Sequence, residues 1–195
     1  MSYRIFKRVF DLIFALIALI FSLPLLIGLA FLIMLSMGGN PLFSQMRPGK
    51  DGQLFKMYKL RTMFPEDSGH KLSDEERIPP LGRWLRMTSL DELPGLINVI
   101  RGEMSLVGPR PLLSEYLAKY NSNQMQRHKV LPGITGLAQV RGRNELSWNN
   151  KFRYDVFYVN KANFLLDLQI ICETIRVVVN KKGFRLSGES IRFGD

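Results

Sequence analysis

The chain has 195 residues, 46% of them apolar, and a formal net charge of +10 from 27 basic and 17 acidic side chains. This length allows one compact domain plus a membrane element, and the basic balance indicates an anionic partner: nucleic acid, lipid headgroups or a phosphorylated substrate. A single cysteine excludes an internal disulfide, the two histidines offer no zinc-binding spacing, and the chain lacks the G-x-S-x-G motif of many serine hydrolases.

The first predicted element is an apolar helix, because residues 12–37 carry no charged side chain and exceed the roughly 20 residues that span a bilayer. Pro24 near its middle predicts a kink, and the Ser22 hydroxyl could bond to a carbonyl that the proline leaves free. Basic residues flank both ends, so the positive-inside rule would put both ends at the cytoplasmic face. Two arrangements stay open on these residues: a re-entrant helix hairpin, and a straight span with a tolerated proline.

A β-hairpin is predicted next, with strands at 42–45 and 54–60 around a glycine-containing loop at 47–52. The basic segment 81–87 forms a short helix with Trp84, which suits a membrane interface and equally well an ordinary protein surface. In chain order, the later elements are a helix at 93–101, a helix at 112–120 with Pro111 at its first position, a constrained loop at 132–136, a strand at 137–141, helices at 148–160 and 164–181 capped by Ser147 and Asn163, and a polar tail from 184.

The carboxylate pair Asp91-Glu92 is the candidate for chemistry. With Asp91 as the cap and Pro94 in the first turn, both acids lie at a helix N-terminus, where backbone N–H groups and the helix dipole favour negative charge. We therefore expect Asp91 to stay ionised and a phosphate to share the same field. The alternative interpretation is that both acids only cap the helix.

Several cations accompany this pair in the sequence: Arg86, Arg110, Lys59, Arg61, Arg141 and Arg143. A carboxylate pair beside several cations suits a diphosphate substrate, because arginines bind phosphate oxygens and a metal ion can screen carboxylate from phosphate. A carboxylate can also attack phosphorus and form an acyl phosphate. Each arginine taken alone is more typical of a solvated surface position.

Six motifs in order give the chain its resemblance to a known family. They are KRVFD at 7–11, QMRPG at 45–49, FKMYKLRTM at 55–63, TSLDELP at 88–94, NVIRGEMSLVGPRP at 98–111 and PGITGLAQV at 132–140. With these motifs, over nearly its whole length, the chain resembles the bacterial sugar transferases, which are monotopic polyprenyl-phosphate phosphoglycosyltransferases. Its short length resembles the small members, among them those that transfer N,N'-diacetylbacillosamine 1-phosphate.

The resemblance implies a reaction and assigns residues to it. Asp91 would attack the β-phosphate of a UDP-sugar, release UMP and carry the phosphosugar until a polyprenyl (undecaprenyl) phosphate takes it. Glu92 would complete the catalytic dyad, and Mg²⁺ would bind at Asp91. Phosphate-binding positions would be Arg86 and Arg110, with Arg143 and Lys59 as further candidates.

The resemblance also implies an architecture. It favours the re-entrant hairpin at 1–38, followed by a catalytic domain at 39–183 with a short β-hairpin and amphipathic interfacial helices, and a polar tail at 184–195. The fold class is then α+β and mainly helical, at the cytoplasmic face of a bacterial inner membrane. Leu23 stands between Ser22 and Pro24, where close relatives have serine directly before the proline.

Two rival functions can be weighed against this reading. A membrane-anchored nucleic-acid-binding protein would explain the charge, but no helix-turn-helix, RRM or zinc-finger pattern is present and no nucleic acid is expected as a partner. A membrane-anchored scaffold would tolerate loss of the Asp91 carboxylate. The sequence leaves the sugar and the oligomeric state open.

Overall fold

A computed structural model gives the fold of residues 3–65, 73, 76–142, 145–180 and 193. The described part is mainly helical with two small sheets, so the predicted α+β class is confirmed. In chain order the elements are α1 (Tyr3–Met37), β1 (Leu42–Pro48), β2 (Leu54–Leu60), α2 (Pro80–Thr88), a 3-10 helix at Leu90–Gly95, α3 (Leu96–Arg101), β3 (Ser105–Val107), 3-10 helices at Ser114–Lys119 and Gln124–Lys129, β4 (Gly133–Thr135), α4 (Leu137–Arg141), α5 (Trp148–Lys161) and α6 (Phe164–Val179).

Helix α1 is 35 residues long, runs through Pro24 and is long and apolar enough to cross a membrane. The Ser22 hydroxyl donates a hydrogen bond to the Leu19 carbonyl at 3.2 Å. The carbonyl that Pro24 leaves without a donor is that of Ile20, four residues before the proline. The expectation that Ser22 satisfies the freed carbonyl is therefore wrong, because its short side chain bonds to the carbonyl one residue earlier.

The N-terminal half of α1 is tied to the globular part by polar contacts. The Arg8 guanidinium donates to the carbonyls of Val99 and Ile100 at 2.6 and 2.9 Å, and so binds the C-terminal end of α3. The buried Asp11 carboxylate accepts a hydrogen bond from the Ser105 hydroxyl at 2.8 Å. These bonds fix the N-terminal half of the apolar helix against the globular part.

The C-terminal half of α1 is tied to the same globular part. Ile33 packs in a core cluster with Leu60 of β2 and Leu85 of α2, and the Arg61 guanidinium donates to the Gly38 carbonyl just after the helix. Both halves of α1 therefore contact one globular unit. The apolar residues exposed between these two anchored parts are Leu16, Ile17, Ile20, Phe21, Leu23, Leu25 and Ile27.

The predicted hairpin is confirmed. Strands β1 and β2 pair antiparallel, from Leu42 opposite Leu60 to Pro48 opposite Leu54. The second strand has the predicted bounds, whereas the first continues three residues beyond its predicted end. Pairing persists that far because the Gly49 N–H donates to the Gln53 carbonyl at 2.8 Å and closes the loop.

The segment that carries the acidic pair differs from its prediction. Ser89, with φ of 58°, ends α2, and a 3-10 helix at Leu90–Gly95 follows, which we call the dyad turn. Asp91 lies inside this turn and is not a helix cap, so that expectation is wrong. The Glu92 N–H bonds to the Ser89 carbonyl at 3.2 Å, an i to i−3 bond, and Pro94 has no N–H to continue an α-helix here.

Two further predictions in the second half are wrong. The segment 112–120 is predicted to be a helix with Pro111 at its first position. The structure has a shorter 3-10 helix there, Ser114–Lys119, so Pro111 is not at a helix start. Residues predicted as a strand at 137–141 form helix α4, and the strand β4 lies within the predicted loop, parallel to β3. The backbones approach so closely here that a Cβ on Gly133 would lie 2.1 Å from the Gly108 nitrogen.

The last two helices are confirmed with their caps. The Ser147 side chain accepts from the Asn150 N–H at the start of α5, and the Asn163 side chain accepts from the Leu166 N–H at the start of α6. The predicted tail at 184–195 lies outside the described residues, apart from residue 193.

Candidate active site

A cavity of about 1040 Å³ opens between the hairpin, the dyad turn and α5. Its lining is strongly basic: eight Lys or Arg side chains face three Asp or Glu side chains. A concave site with this excess of positive charge suits a polyanionic ligand. The charged residues of the lining are Arg47, Lys59, Arg61, Arg77, Arg86, Arg110, Arg127, Lys151, Asp91, Glu92 and Asp155.

Glu92 is held by two cations. Arg110 contacts both of its carboxylate oxygens, at 2.5 Å to Oε1 and 3.3 Å to Oε2, and Lys59 Nζ lies 2.8 Å from Oε1. Burial opposes the charge of Glu92, but the attraction of Arg110 and Lys59 outweighs it and holds the pKa of this carboxyl well below its ordinary value. Glu92 is therefore a fixed anion that positions two cations.

Asp91 is buried, with 7% of its surface exposed, in the dyad turn beside Glu92. Burial, and next the negative charge of Glu92, raise the pKa of Asp91 to about 6, against the opposing effect of Lys59, Arg110 and Arg86. At pH 7 the carboxylate is still ionised in about 90% of molecules, and it is more basic than an ordinary aspartate.

No hydrogen bond or ion pair occupies the Asp91 carboxylate within the part of the chain that the structure describes. Its neighbours act on it as charges, while Glu92 takes the direct contacts of Lys59 and Arg110. An ionised carboxylate whose lone pairs are not engaged can attack an electrophile or bind a metal ion. The two acids of the dyad therefore have different environments and different chemical capacity.

Arg86 reaches the cavity from α2. Its Nε donates to the Thr62 hydroxyl at 2.8 Å, which fixes the guanidinium beside the site. Helix α2 can approach this closely because Gly82 has no side chain: a Cβ there would lie 2.1 Å from the Thr62 carbonyl oxygen. Gly82 is thus a positioning residue that the sequence analysis did not identify.

Asn98 on α3 joins the dyad turn to the hairpin and was also missed. Its side chain is fully buried, its Oδ1 accepts from the Tyr58 N–H at 3.1 Å, and its Nδ2 donates to the Lys56 carbonyl at 2.8 Å. These bonds fix the strand that carries Lys59. Asn98 opens one of the family motifs, but the sequence gives it no role, because its two hairpin partners lie about 40 residues away; its Nδ2 also donates to the Glu103 carboxylate at 2.6 Å.

A buried ion pair supports Arg110 from the other side. Arg127 Nη2 lies 2.8 Å from the Asp155 carboxylate. The same atom donates a hydrogen bond to the Arg110 carbonyl at 2.6 Å. Both members of the pair are almost fully buried. Removal of either would leave an uncompensated charge, which is far more costly than loss of a surface ion pair. Sequence spacing gave no signal for it.

The structure brings together five of the predicted site residues, Lys59, Arg86, Asp91, Glu92 and Arg110, around this cavity. Arg143 lies outside the described residues, so its assignment stays a prediction. Ser22 and Pro24 belong to α1 and do not line the cavity. Arg61 lines the cavity and donates to the Gly38 carbonyl, whereas Arg141 pairs with Glu173 at 3.3 Å outside it.

The Asp91 carboxylate suits a magnesium ion that is also bound by a phosphorylated substrate. Mg²⁺ is commonly held by one or two carboxylates together with substrate phosphate oxygens. Asp91 offers one such carboxylate, whereas Glu92 is committed to Lys59 and Arg110. Among the described residues no cluster of three His, Cys, Asp or Glu could hold a metal ion by itself.

Comparisons with known proteins give consistent matches. The model of a family described as bacterial sugar transferase matches residues 2–181. The chain is 46% identical to an uncharacterized sugar transferase of Bacillus subtilis, EpsL, over 93% of this chain and 91% of that protein. It is 35% identical to the undecaprenyl-phosphate galactose phosphotransferase of Salmonella typhimurium and 37% identical to the UDP-glucose:undecaprenyl-phosphate glucose-1-phosphate transferase of Klebsiella pneumoniae. These two matches cover 93% and 92% of this chain, but only 42% of each longer relative.

Proposed function

Because the chain belongs to the bacterial sugar transferase family, we propose that it transfers a sugar 1-phosphate from a UDP-sugar to polyprenyl phosphate, releasing UMP. Two relatives carry names for this type of reaction, with galactose and with glucose. The observation that carries the proposal is Asp91: a buried carboxylate free of direct partners in the described part, beside a basic cavity. A nucleic-acid-binding or scaffold protein would have no use for such a group.

In the first step, the Asp91 carboxylate attacks the β-phosphorus of the donor. A bond forms between its oxygen and phosphorus, and the bond between phosphorus and the bridging oxygen breaks, so that UMP leaves with the electron pair. Arg86 and Arg110 are placed to bind phosphate oxygens and to stabilise the charge that develops on the leaving group. The raised pKa of Asp91 makes its carboxylate a better nucleophile than an ordinary aspartate.

In the second step, an oxygen of polyprenyl phosphate attacks the phosphorus of the aspartyl phosphosugar. The Asp91–phosphorus bond breaks, the carboxylate is regenerated, and the lipid leaves as polyprenyl diphosphate sugar. Glu92 is not the nucleophile in this proposal, because its oxygens already contact Lys59 and Arg110 and its low pKa makes it a weak base. It keeps those two cations in position through both steps.

Mg²⁺ is the expected cofactor. Asp91 would hold the ion, which would neutralise phosphate charge that otherwise repels the attacking carboxylate. The basic residues of the cavity can then act on the phosphate oxygens that remain. Loss of UMP release after chelation of divalent ions, and its recovery on adding Mg²⁺, would support this assignment.

The experiment that tests the reaction measures UMP release and the mass of the intact protein after mixing with a panel of UDP-sugars. The panel includes UDP-galactose, UDP-glucose and UDP-N,N'-diacetylbacillosamine, since the sugar is open. Asp91→Asn should release no UMP and gain no phosphosugar mass. Asp51→Asn is the matched control, because Asp51 is exposed in the hairpin loop and asparagine tolerates its φ of 55°. A phosphosugar adduct on Asp91→Asn, or normal UMP release by it, would contradict the mechanism.

For the membrane we propose a re-entrant α1 at the inner membrane, with both ends on the cytoplasmic face. Its support is that both halves of the helix pack on one globular unit, while apolar side chains stay exposed along the helix, including the stretch between the two packed parts. Cysteines placed at residues 2 and 40, in a chain whose exposed Cys172 is replaced by serine, should both react with an impermeant label from the cytoplasmic side. A cysteine that reacts only from outside would refute the hairpin.

A further inference from the structure

Arg47, at the end of β1, lines the cavity without a counter-charge. Its Nη2 donates to the Gln45 side-chain oxygen at 2.7 Å, and its Nε is buried without a hydrogen-bond partner. No carboxylate of the described residues lies within ion-pair distance of it. Buried polar groups in proteins are normally paired, so an orphaned guanidinium N–H that lines a cavity indicates a partner that binds there.

Lys151, on α5, is a second cation of this kind. Its Nζ lies 4.4 Å from the centre of the Trp148 ring, a cation–π contact, and it too has no carboxylate at ion-pair distance within the described ranges. The side chain is half-buried and lines the same cavity as Arg47. A cation held by an aromatic face keeps its charge available for an anionic ligand.

Arg110 brings a third positive charge to this part of the cavity. Burial, and next the charge of Arg110, lower the pKa of Arg47 to about 10, and the same two causes lower the pKa of Lys151. Glu92 is committed to Arg110 and Lys59 and Asp155 to Arg127, and Glu115, which also acts on Arg47 as a charge, does not lie within ion-pair distance of it. Arg110 therefore repels both Arg47 and Lys151, and an anion bound in this part of the cavity would relieve that repulsion.

We propose that Arg47 and Lys151, together with Arg110, form a subsite for a phosphate monoester, distinct from the position of the phosphorus that Asp91 attacks. This inference rests on the proposed function, in which two phosphate monoesters occur: the leaving UMP and the incoming polyprenyl phosphate. A monoester carries up to two negative charges and three terminal oxygens, which suits several converging donors. Arg47 and Lys151 are phosphate-binding residues in this account.

The test compares Arg47→Gln, Arg47→Lys and Lys151→Met with Arg153→Gln, an exposed arginine of α5 outside the cavity. Two quantities are measured for each full-length enzyme: the dissociation constant for UMP, and the KM for undecaprenyl phosphate in the complete reaction. Loss of one charge-assisted hydrogen-bonding group should weaken the occupant of the subsite about tenfold to a hundredfold. Arg47→Lys should lie between wild type and Arg47→Gln, because it keeps the charge but loses the planar fork.

The two possible occupants of the subsite, UMP and polyprenyl phosphate, predict different results. Weaker UMP binding with an unchanged KM for the lipid assigns the subsite to the nucleotide, and the reverse pattern assigns it to the acceptor. Arg153→Gln gives the reference values for both quantities. The inference is overturned if Arg47→Gln and Lys151→Met both show these reference values. Because Arg110 repels Arg47, Arg47→Gln should not lower the thermal unfolding midpoint, whereas replacement of a purely structural arginine would.

Failure of this inference can be told apart from failure of the proposed function. If the wild-type protein releases no UMP from any UDP-sugar, the proposed function is at fault. If wild type releases UMP normally and the variants bind UMP and lipid as wild type does, only the subsite is refuted.

Discussion

The environment of Asp91 makes a quantitative prediction about pH. With a pKa of about 6, the ionised fraction of this carboxyl is about 0.9 at pH 7 and about 0.1 at pH 5. The nucleophile is the deprotonated form, so the rate of the first step should rise with pH, level off above 7, and be about tenfold lower at pH 5 than at pH 7. An ordinary aspartate would be largely ionised at pH 5 and would give an almost flat profile over this range.

The assay is single-turnover UMP release by rapid quench, without the lipid acceptor and with Mg²⁺ below saturation, where the profile reports the pKa of the metal-free carboxyl. Omitting the acceptor matters because polyprenyl phosphate titrates in the same pH range, whereas the diphosphate of the donor has no proton to lose there. Enzyme integrity at pH 5 is checked by returning a sample to pH 7 and recovering the rate. A rate that stays constant between pH 5 and 8 would refute the reasoning from burial and neighbouring charge.

A variant sharpens the same prediction. Lys59 lowers the pKa of Asp91, so Lys59→Met should move the midpoint of the pH profile above 6, whatever it does to the plateau rate. Lys56→Met is the matched control, because Lys56 lies on the same strand with an exposed side chain. Its profile should keep the wild-type midpoint, and an equal displacement in both variants would argue against a direct charge effect.

Three further predictions concern the residues that position the site. Arg127→Met should lower the free energy of unfolding by about 3–5 kcal/mol, because Asp155 is left buried and unpaired. The double variant Arg127→Met, Asp155→Leu should regain most of this stability, measured by thermal unfolding. A double variant as unstable as Arg127→Met would contradict the charge argument. Gly82→Ala should cost about 1–3 kcal/mol and reduce UMP release by displacing α2, whereas Gly28→Ala, where an added Cβ meets nothing within 4 Å, should leave activity unchanged. Asn98→Ala should cost about 2 kcal/mol or more, read from the unfolding midpoint, since backbone groups of β2 lose their partner; a wild-type midpoint would show that those groups find another.

Features with a local cause were predictable from the sequence. The second hairpin strand and the caps Ser147 and Asn163 depend on residues within a few positions of each other, and all three are confirmed. The grouping of Lys59, Arg86 and the acidic pair could be predicted from motifs typical of the family.

Features that depend on distant backbone were not predictable. Residues 137–141 alternate in a way that suggests a strand, but the available strand partner, β3, is taken by β4, and the segment folds as a helix. The raised pKa of Asp91 arises from burial and from Glu92, whereas a helix N-terminus alone predicts a lowered value. Asn98 and the Arg127–Asp155 pair act across 28 to 42 residues, a separation that sequence patterns do not encode.

The attachment of α1 at both halves has a consequence for how this protein can be made. A chain shortened to begin at residue 39 would uncover the apolar sides of β2, α2 and α3 that the helix now covers, and would leave the Ser105 hydroxyl without its Asp11 partner. Exchange of α1 for an unrelated membrane anchor of equal hydrophobicity would restore membrane attachment. It would not restore the side chains of α1 that pack in the protein core. Helix α1 is therefore both the apolar element and part of the protein core, and we expect a fragment that begins at residue 39 to be insoluble in water.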